Sequence, residues 1–367
     1  MKVLVTGASG LLGRTAASML LRRGDDVTVM QRRPSGIHCR EVLGDIADPE
    51  VVERAARGQD AVLHLAAKVD VVGAMADYRR ANVDGTRAVV AACHRRGVAR
   101  LVQVSSPSVA HSGHPLCGAE AGRADPTAAR GPYARTKAES ELLALAADTA
   151  DLAVLAVRPH LVWGPGDTQL VARLVDRARV GRLAVVGSGA ALIDSTYVDD
   201  AAAAMVAAVD SCGPDAHGEP LVVSGGDPRP VVEILTRVCL AAGVPPPRSH
   251  VPVALALVAG SMIDTFWSAT GRTDTPPLTR FLAEQLSTAH WFDQRRTRRL
   301  LGWAPQVGLE SGFDRLAEWY AAGCPDVADH DLSVRSDHWR RERRGALRHR
   351  SHPNQESDAR ERGTGRS

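Results

Sequence analysis

Lys2-Val3-Leu4-Val5-Thr6-Gly7-Ala8-Ser9-Gly10-Leu11-Leu12-Gly13 decides how the rest of the chain is read. A short apolar, β-branched run ends in glycine, and the glycines lead into a helical pattern, Leu11 to Arg23, closed by Gly24. The pattern is buried strand, tight loop, helix. Glycine at such a junction lets backbone approach a pyrophosphate, whose charge meets the free N–H groups of the helix N-terminus. Gly7, Ser9, Gly10, Leu11, Leu12 and Gly13 are therefore candidate cofactor-binding positions. A glycine triplet alone is weak evidence, because any tight turn can need one. Its place at the first strand–helix junction makes it strong.

Beyond this stretch, a second strand is expected over Val27–Met30, broken by Arg32-Arg33-Pro34. Further strands are expected at Ala61–Leu65, Leu101–Val104, Leu152–Val157 and Leu221–Ser224, and Gly44-Asp45-Ile46 ends a third strand before them. Helical patterns lie between, such as Val83–Arg96 and Ala134–Ala147. This alternation predicts an α/β fold, a Rossmann-type doubly wound parallel sheet with helices on both faces. The dinucleotide-binding domain is placed at 1–163, with returning segments near 187–226. A smaller, mostly helical C-terminal substrate domain is drawn from 164–186 and 227–330. It holds amphipathic helices at Gln169–Arg182 and Val231–Ala242, a rigid Pro245-Pro246-Pro247 connection and a long apolar segment, Val251–Ile263. Asp264 ends that segment short of the roughly 18 apolar residues a membrane span needs. A core helix is expected there; a lid or an interfacial helix is the alternative.

The totals exclude other classes. Of 367 residues, 45 are Lys or Arg and 42 Asp or Glu, a net charge of +3 that makes no case for nucleic acid. Aromatics are only 4%, so the core must come mainly from Ala, Val and Leu. The charge is uneven: residues 331–367 are rich in Arg and nearly empty of apolar side chains, and are expected to form a disordered basic tail. A solvated extension is favoured over an anionic-partner or membrane-surface contact. Six scattered cysteines with no CxxC pair and no His cluster argue against a disulfide framework or a metal site. The N-terminus shows no signal-peptide pattern, so a cytoplasmic protein is expected.

The end of the second strand bears on the cofactor. A carboxylate there would bind the ribose 2′-hydroxyl and favour NAD. Gln31, Arg32 and Arg33 stand there instead, and guanidinium groups can bind a 2′-phosphate. NADP(H) is the expected preference, with NAD(H) also accepted. Leu65-Ala66-Ala67 ends the fourth strand with small residues that let backbone pass near the cofactor, and Lys68 faces a phosphate or water.

Tyr133-Ala134-Arg135-Thr136-Lys137 puts a phenol and an ammonium four residues apart, on one face of a helix. A nearby cation favours phenolate and is expected to lower the tyrosine pKa. Val104-Ser105-Ser106-Pro107-Ser108-Val109 ends the fifth strand, where ligands of open sheets bind. A hydroxyl there can donate to a carbonyl oxygen as charge develops. Ser105, Ser106 and Ser108 compete for that role.

The GxxGxxG spacing after Thr6, the Ser-Ser strand end and Tyr133-Ala134-Arg135-Thr136-Lys137 resemble the short-chain dehydrogenase/reductase family. Arg158-Pro159, Trp163-Gly164-Pro165-Gly166-Asp167 and Tyr197-Val198-Asp199-Asp200 match its extended branch. The resemblance favours Ser106 as the oxygen-holding hydroxyl. It places Asp45 and Ile46 around the adenine, and Arg158 and Pro159 on the cofactor side. Asn82-Val83-Asp84-Gly85-Thr86 resembles the motif whose asparagine holds a relay water for the lysine; an N-cap is the other role open to Asn82. A homodimer through helices such as Val83–Arg96 and Ala134–Ala147 is also implied.

Within that branch the chain resembles the 3β-hydroxysteroid dehydrogenase-like proteins. The stretch Pro276-Pro277-Leu278-Thr279-Arg280-Phe281, continuing to Ala289-His290-Trp291-Phe292, is similar to bacterial 2-alkyl-3-oxoalkanoate reductases of long-chain olefin biosynthesis. This implies a hydrophobic small-molecule substrate, a β-keto acid with two alkyl chains, and other olefin-pathway enzymes as partners. The substrate carboxylate wants a cation, for which His160, Arg280 and His290 are candidates. Three alternatives stay open: a 3β-hydroxysteroid dehydrogenase, a nucleotide-sugar epimerase or dehydratase, and a non-catalytic NADP-sensing protein. Gln31 and the lack of an acidic pair beside Ser106 count against the second, and an intact Ser/Tyr/Lys set against the third.

Overall fold

Seven parallel strands build the central sheet: β1 Lys2–Thr6, β2 Asp26–Gln31, β3 Arg40–Leu43, β4 Ala61–His64, β5 Arg100–Val104, β6 Ala153–Pro159 and β7 Glu219–Val223. The computed structural model describes residues 1–69, 73–111, 113–213, 216–270, 272 and 276–325, so the expected basic tail lies outside the described residues. The strand order is β7-β6-β5-β4-β1-β2-β3. Val3 stands opposite Val27 on one side and Ala61 on the other. β1 is covered on both faces, which explains why its sequence is a continuous apolar run rather than an alternation. The order reverses at β1 and β4, and in such sheets ligands bind in the crevice beyond the strand ends at that switch point.

Helix α1, Leu11–Arg23, buries Ala16, Ala17 and Leu20 and stops at Gly24, whose φ of 93° is left-handed. Helix α2, Pro49–Ala56, starts on Asp48, whose carboxylate accepts from the N–H groups of Glu50 and Val51. The next expected helix, Val83–Arg96, starts earlier: a π-helical turn, Arg79–Asp84, runs directly into α3, Gly85–Arg96. Helix α4, Gly131–Leu145, carries Tyr133 and Lys137, and helix α5 is Val198–Ser211. One apolar cluster joins α1 and α5 to the sheet, and a second joins α2 and α3 to its other face. As the composition required, Val, Ala and Leu dominate both.

The second half is less uniformly helical than the sequence indicated. A four-stranded sheet joins Arg229–Pro230, Leu192–Ile193, His290–Phe292 and Leu116–Ala119. Strands of two to four residues carry too little pattern to be read locally. Trp163, Tyr197, Phe313 and Leu316 form a separate core cluster, with Trp163 stacked on Phe313 at 4.5 Å.

The apolar segment forms helix α6, Val253–Thr270, followed by α7, Arg280–Ser287. The expected core helix is not what α6 is. Leu255, Val258, Met262 and Phe266 are all more than half exposed, whereas Ala256 is buried. Small residues set which side packs: a Cβ on Gly260 would come within 2.6 Å of the Arg280 nitrogen. The close helix contact therefore belongs to Ala256 and Gly260, and the large side chains turn outward. Among the described residues no helix is long and apolar enough to cross a membrane.

Candidate active site

The glycine loop closes tightly. Gly7 has φ +78°, and a Cβ there would lie 2.8 Å from the Ala66 nitrogen; a Cβ on Gly13 would lie 2.4 Å from the Gly7 carbonyl. Gly7 and Gly13 thus bring loop, helix and the Leu65-Ala66-Ala67 turn together. Ser9 and Gly10 remain exposed, with Leu11 and Leu12 half-buried behind them. The α1 N-terminus has no side-chain cap and no acidic residue in its first turn. Uncapped N–H groups beside exposed glycine fit a pyrophosphate.

Behind the loop runs a buried relay of neutral groups. Thr86 Oγ1 donates to the Asn82 carbonyl at 2.7 Å and is 3.2 Å from His64 Nε2. His64 Nδ1 is 2.7 Å from Thr6 Oγ1, which accepts from the Ala66 N–H. With the Thr86 proton already given away, His64 carries its proton on Nε2 and accepts from Thr6. Burial, together with the nearby Lys137, pushes the His64 pKa down to about 3, so the ring is neutral.

At the end of β2, Arg32 and Arg33 are exposed and Gln31 is buried. The carboxylate missing from β2 comes from β3: Gln31 Nε2 donates to Glu41 Oε1 at 2.5 Å. Asp45 is held below the usual carboxylate range by the Ala47 N–H and by Arg80, 2.8 Å away. Ile46 lies in the core beneath Gly85, so of that pair Asp45 keeps the accessible side chain. Lys68 Nζ sits 5.3 Å from the Tyr78 ring centroid, a cation over an aromatic face.

Among the three serines the geometry selects one. Ser106 stands by the Tyr133 phenol, whose raised pKa it partly offsets, and its Oγ accepts from Ser108 Oγ at 3.0 Å. Ser106 also caps the short 3-10 helix Pro107–Ala110. Ser105 is buried with its hydroxyl unpartnered. Lys137 lies one turn beyond Tyr133 and is buried, with Nζ donating to the Val104 carbonyl at 2.5 Å. Burial moves its pKa down to about 8, against the pull of Glu141. The expected sign for the phenol is reversed. Burial raises the Tyr133 pKa, Ser106 alone offsets it, and the ammonium is turned toward Val104.

Asn82 is not an N-cap; it sits inside the π-helical turn. Its Oδ1 accepts from the Lys68 N–H at 2.7 Å, and its Nδ2 donates to the Lys68 carbonyl and to Thr136 Oγ1. The amide thus ties the β4 turn to the helix that carries Tyr133 and Lys137. Arg158 also departs from expectation. Its guanidinium is buried and bound to both Glu141 oxygens and to the Gly122 carbonyl, so it braces α4 against β6 rather than reaching a cofactor. Pro159 ends β6 half-buried, opposite Val223.

The proposed carboxylate cations change character too. His160 and His290 are buried, and burial pushes their pKa values down to about 4 and about 3, leaving neutral rings. His290 packs against His111, with ring centroids 4.8 Å apart. Arg280 is engaged by Glu284 at 3.0 Å. Among the described residues no group of three His, Cys, Asp or Glu is placed to hold a metal. The residues that sequence reasoning missed are Thr6, His64, Thr136, Glu41 and Glu141. Each acts across elements distant in sequence or through a helix interior, where no local motif marks it.

The model of the NAD dependent epimerase/dehydratase family matches residues 3–224. The 2-alkyl-3-oxoalkanoate reductase of Stenotrophomonas maltophilia is 41% identical over 332 residues, covering 88% of this chain and 100% of that protein. The 3-beta-hydroxysteroid dehydrogenase of Mycolicibacterium neoaurum is 29% identical, covering 87% of this chain and 91% of that one. The structure of MoeE5 in complex with UDP-glucose and NAD superposes with a TM-score of 0.70 at 26% identity, covering 89% of this chain and all of the other. A glycine loop at the sheet's switch point, a Ser106–Tyr133 pair with Lys137 one turn on, and a family match over residues 3–224 lead to one assignment. The chain belongs to the NAD dependent epimerase/dehydratase family, within the extended short-chain dehydrogenases/reductases.

Proposed function

We propose that this chain is an NAD(P)H-dependent oxidoreductase that reduces a 3-oxo group on a bulky apolar substrate, a 2-alkyl-3-oxoalkanoate, or oxidises the matching 3-hydroxyl. The observation that carries the reading is the placement of Ser106 beside the Tyr133 phenol at the C-terminal edge of the sheet, with Lys137 buried one helical turn away on the same helix. The 41% identity to the Stenotrophomonas reductase over its whole length supports the substrate class. A bound nicotinamide supplies the hydride to the carbonyl carbon, or takes it in the reverse direction.

The chain's own residues handle the oxygen. Ser106 donates to the carbonyl oxygen as negative charge grows there. Tyr133, neutral because burial raises its pKa, delivers its proton to that oxygen and completes the alcohol. Lys137, one turn beyond Tyr133 and with a pKa near 8, would hold the nicotinamide ribose. Asn82 and Thr136 keep the tyrosine helix in register with the β4 turn. Arg32 and Arg33, exposed at the end of β2, support NADPH as the preferred donor, with NADH also accepted.

Tyr133→Phe is the direct test. Turnover of a 2-alkyl-3-oxo acid, followed by NADPH absorbance, should fall at least about a thousandfold while NADPH binding stays near wild type. Near-normal turnover would remove Tyr133 as the acid. Wild-type turnover of 3-ketosteroids or UDP-sugars in preference to the β-keto acid would replace the substrate assignment.

A further inference from the structure

We propose that Glu41 limits the preference for a 2′-phosphate at the adenosine end of the crevice, acting through Gln31. The inference deepens the cofactor reading above and rests on the placement of the adenosine ribose beside the end of β2.

Glu41 lies on β3 but reaches the end of β2. Its Oε1 accepts from Gln31 Nε2 and also from Ser35 N and Ser35 Oγ, both at 2.8 Å. These bonds, the Ser35 N–H foremost, hold the carboxyl below the usual range, so Glu41 is charged at neutral pH. Ser35 is buried, and its Oγ accepts from the Ile37 N–H at 3.1 Å. One carboxylate oxygen therefore fastens the whole turn that carries Arg32 and Arg33.

The same contact orients Gln31. Turning the amide over would set its oxygen against the Glu41 oxygen, so the N–H side is fixed toward Glu41. Gln31 Oε1 is consequently held elsewhere, and it is buried with no hydrogen-bond partner. A buried acceptor without a donor is costly until one arrives. A ribose hydroxyl can donate to it, whereas an ionised phosphate only accepts. Glu41 thus favours a free hydroxyl in two ways: its charge repels phosphate, and it leaves Gln31 with an unpartnered acceptor that only a donor can satisfy. Arg32 and Arg33 pull in the opposite direction, and the cofactor range is the balance between them.

Glu41→Gln isolates the charge, because the new amide oxygen can still accept from Ser35 and Gln31. Dissociation constants of NADPH and NADH would be measured by nucleotide fluorescence for wild type and variant, with thermal melts as the folding control. The ratio of NADPH to NADH affinity should rise about tenfold, the size expected for one partly screened charge. In Gln31→Leu, which keeps the carboxylate but removes the acceptor, NADH affinity should fall more than NADPH affinity. An unchanged ratio in Glu41→Gln, or a shift toward NADH, overturns the proposal. The wild-type ratio is a separate reading: tighter NADH binding there would overturn the NADPH preference, while the direction of the Glu41→Gln shift would still decide the role of Glu41.

Discussion

Glu141 holds the catalytic helix together at the level of single charges. It lies four residues beyond Lys137 on α4, is buried, and binds the equally buried Arg158 through both oxygens. Breaking a buried pair from one side leaves an uncompensated charge and costs about 3–5 kcal/mol. Glu141→Gln should lower stability by that order in urea unfolding. It should also remove the anion that holds up the Lys137 pKa, so that pKa should drop below its present value of about 8. The basic limb of the kcat/KM profile is expected to move to lower pH, a displacement that a merely loosened scaffold would not produce. Tyr133 and Lys137 are legible in the sequence because their partnership is local, four residues on one helix. Glu141 is not, since its meaning depends on Arg158, which lies on a strand 17 residues away.

Helix α6 shows how one element can be found by its pattern and misplaced by it. The apolar run identifies the helix, but the run is apolar on every side, so it does not say which side is buried. Contact with α7 settles that through Gly260 and Ala256. Met262→Ser, at a side chain 68% exposed, should change stability by less than about 0.5 kcal/mol. Gly260→Ala should cost about 1–3 kcal/mol, because its new carbon would meet Arg280 and Thr279 backbone at 2.6–2.8 Å. Equal effects at the two positions would mean that α6 is packed differently. The π-helical turn Arg79–Asp84 is a comparable case: the helical pattern is visible, but the widened turn that offers Asn82 to the β4 loop is not.

Across the whole molecule, neutral histidines are sealed in several places. His64, His160 and His290 have pKa values of about 3, 4 and 3, depressed chiefly by burial, and His111 is lowered for the same reason. Unfolding releases each toward its ordinary value of 6.5. Between those limits the unfolded chain binds protons that the folded chain refuses, so stability is full above pH 6.5 and falls as pH drops toward 4. Every tenfold loss of proton affinity on folding is worth about 1.4 kcal/mol, so the midpoint of urea unfolding should decline steeply over that window. A midpoint flat from pH 7 to 4.5 would mean that these rings are protonated, or hydrated, in the folded state.

The sequence by itself determined the alternating strands and helices, the glycine loop and the Tyr133–Lys137 pair. These depend on neighbours within a few residues, where periodicity and backbone sterics act. Only the tertiary structure decided where the ammonium points and how Glu41 supplies to β2 the carboxylate its own sequence lacks. Hydrogen bonds and desolvation depend on atoms a few ångströms apart in space. Chain folding, rather than chain order, brings those atoms together.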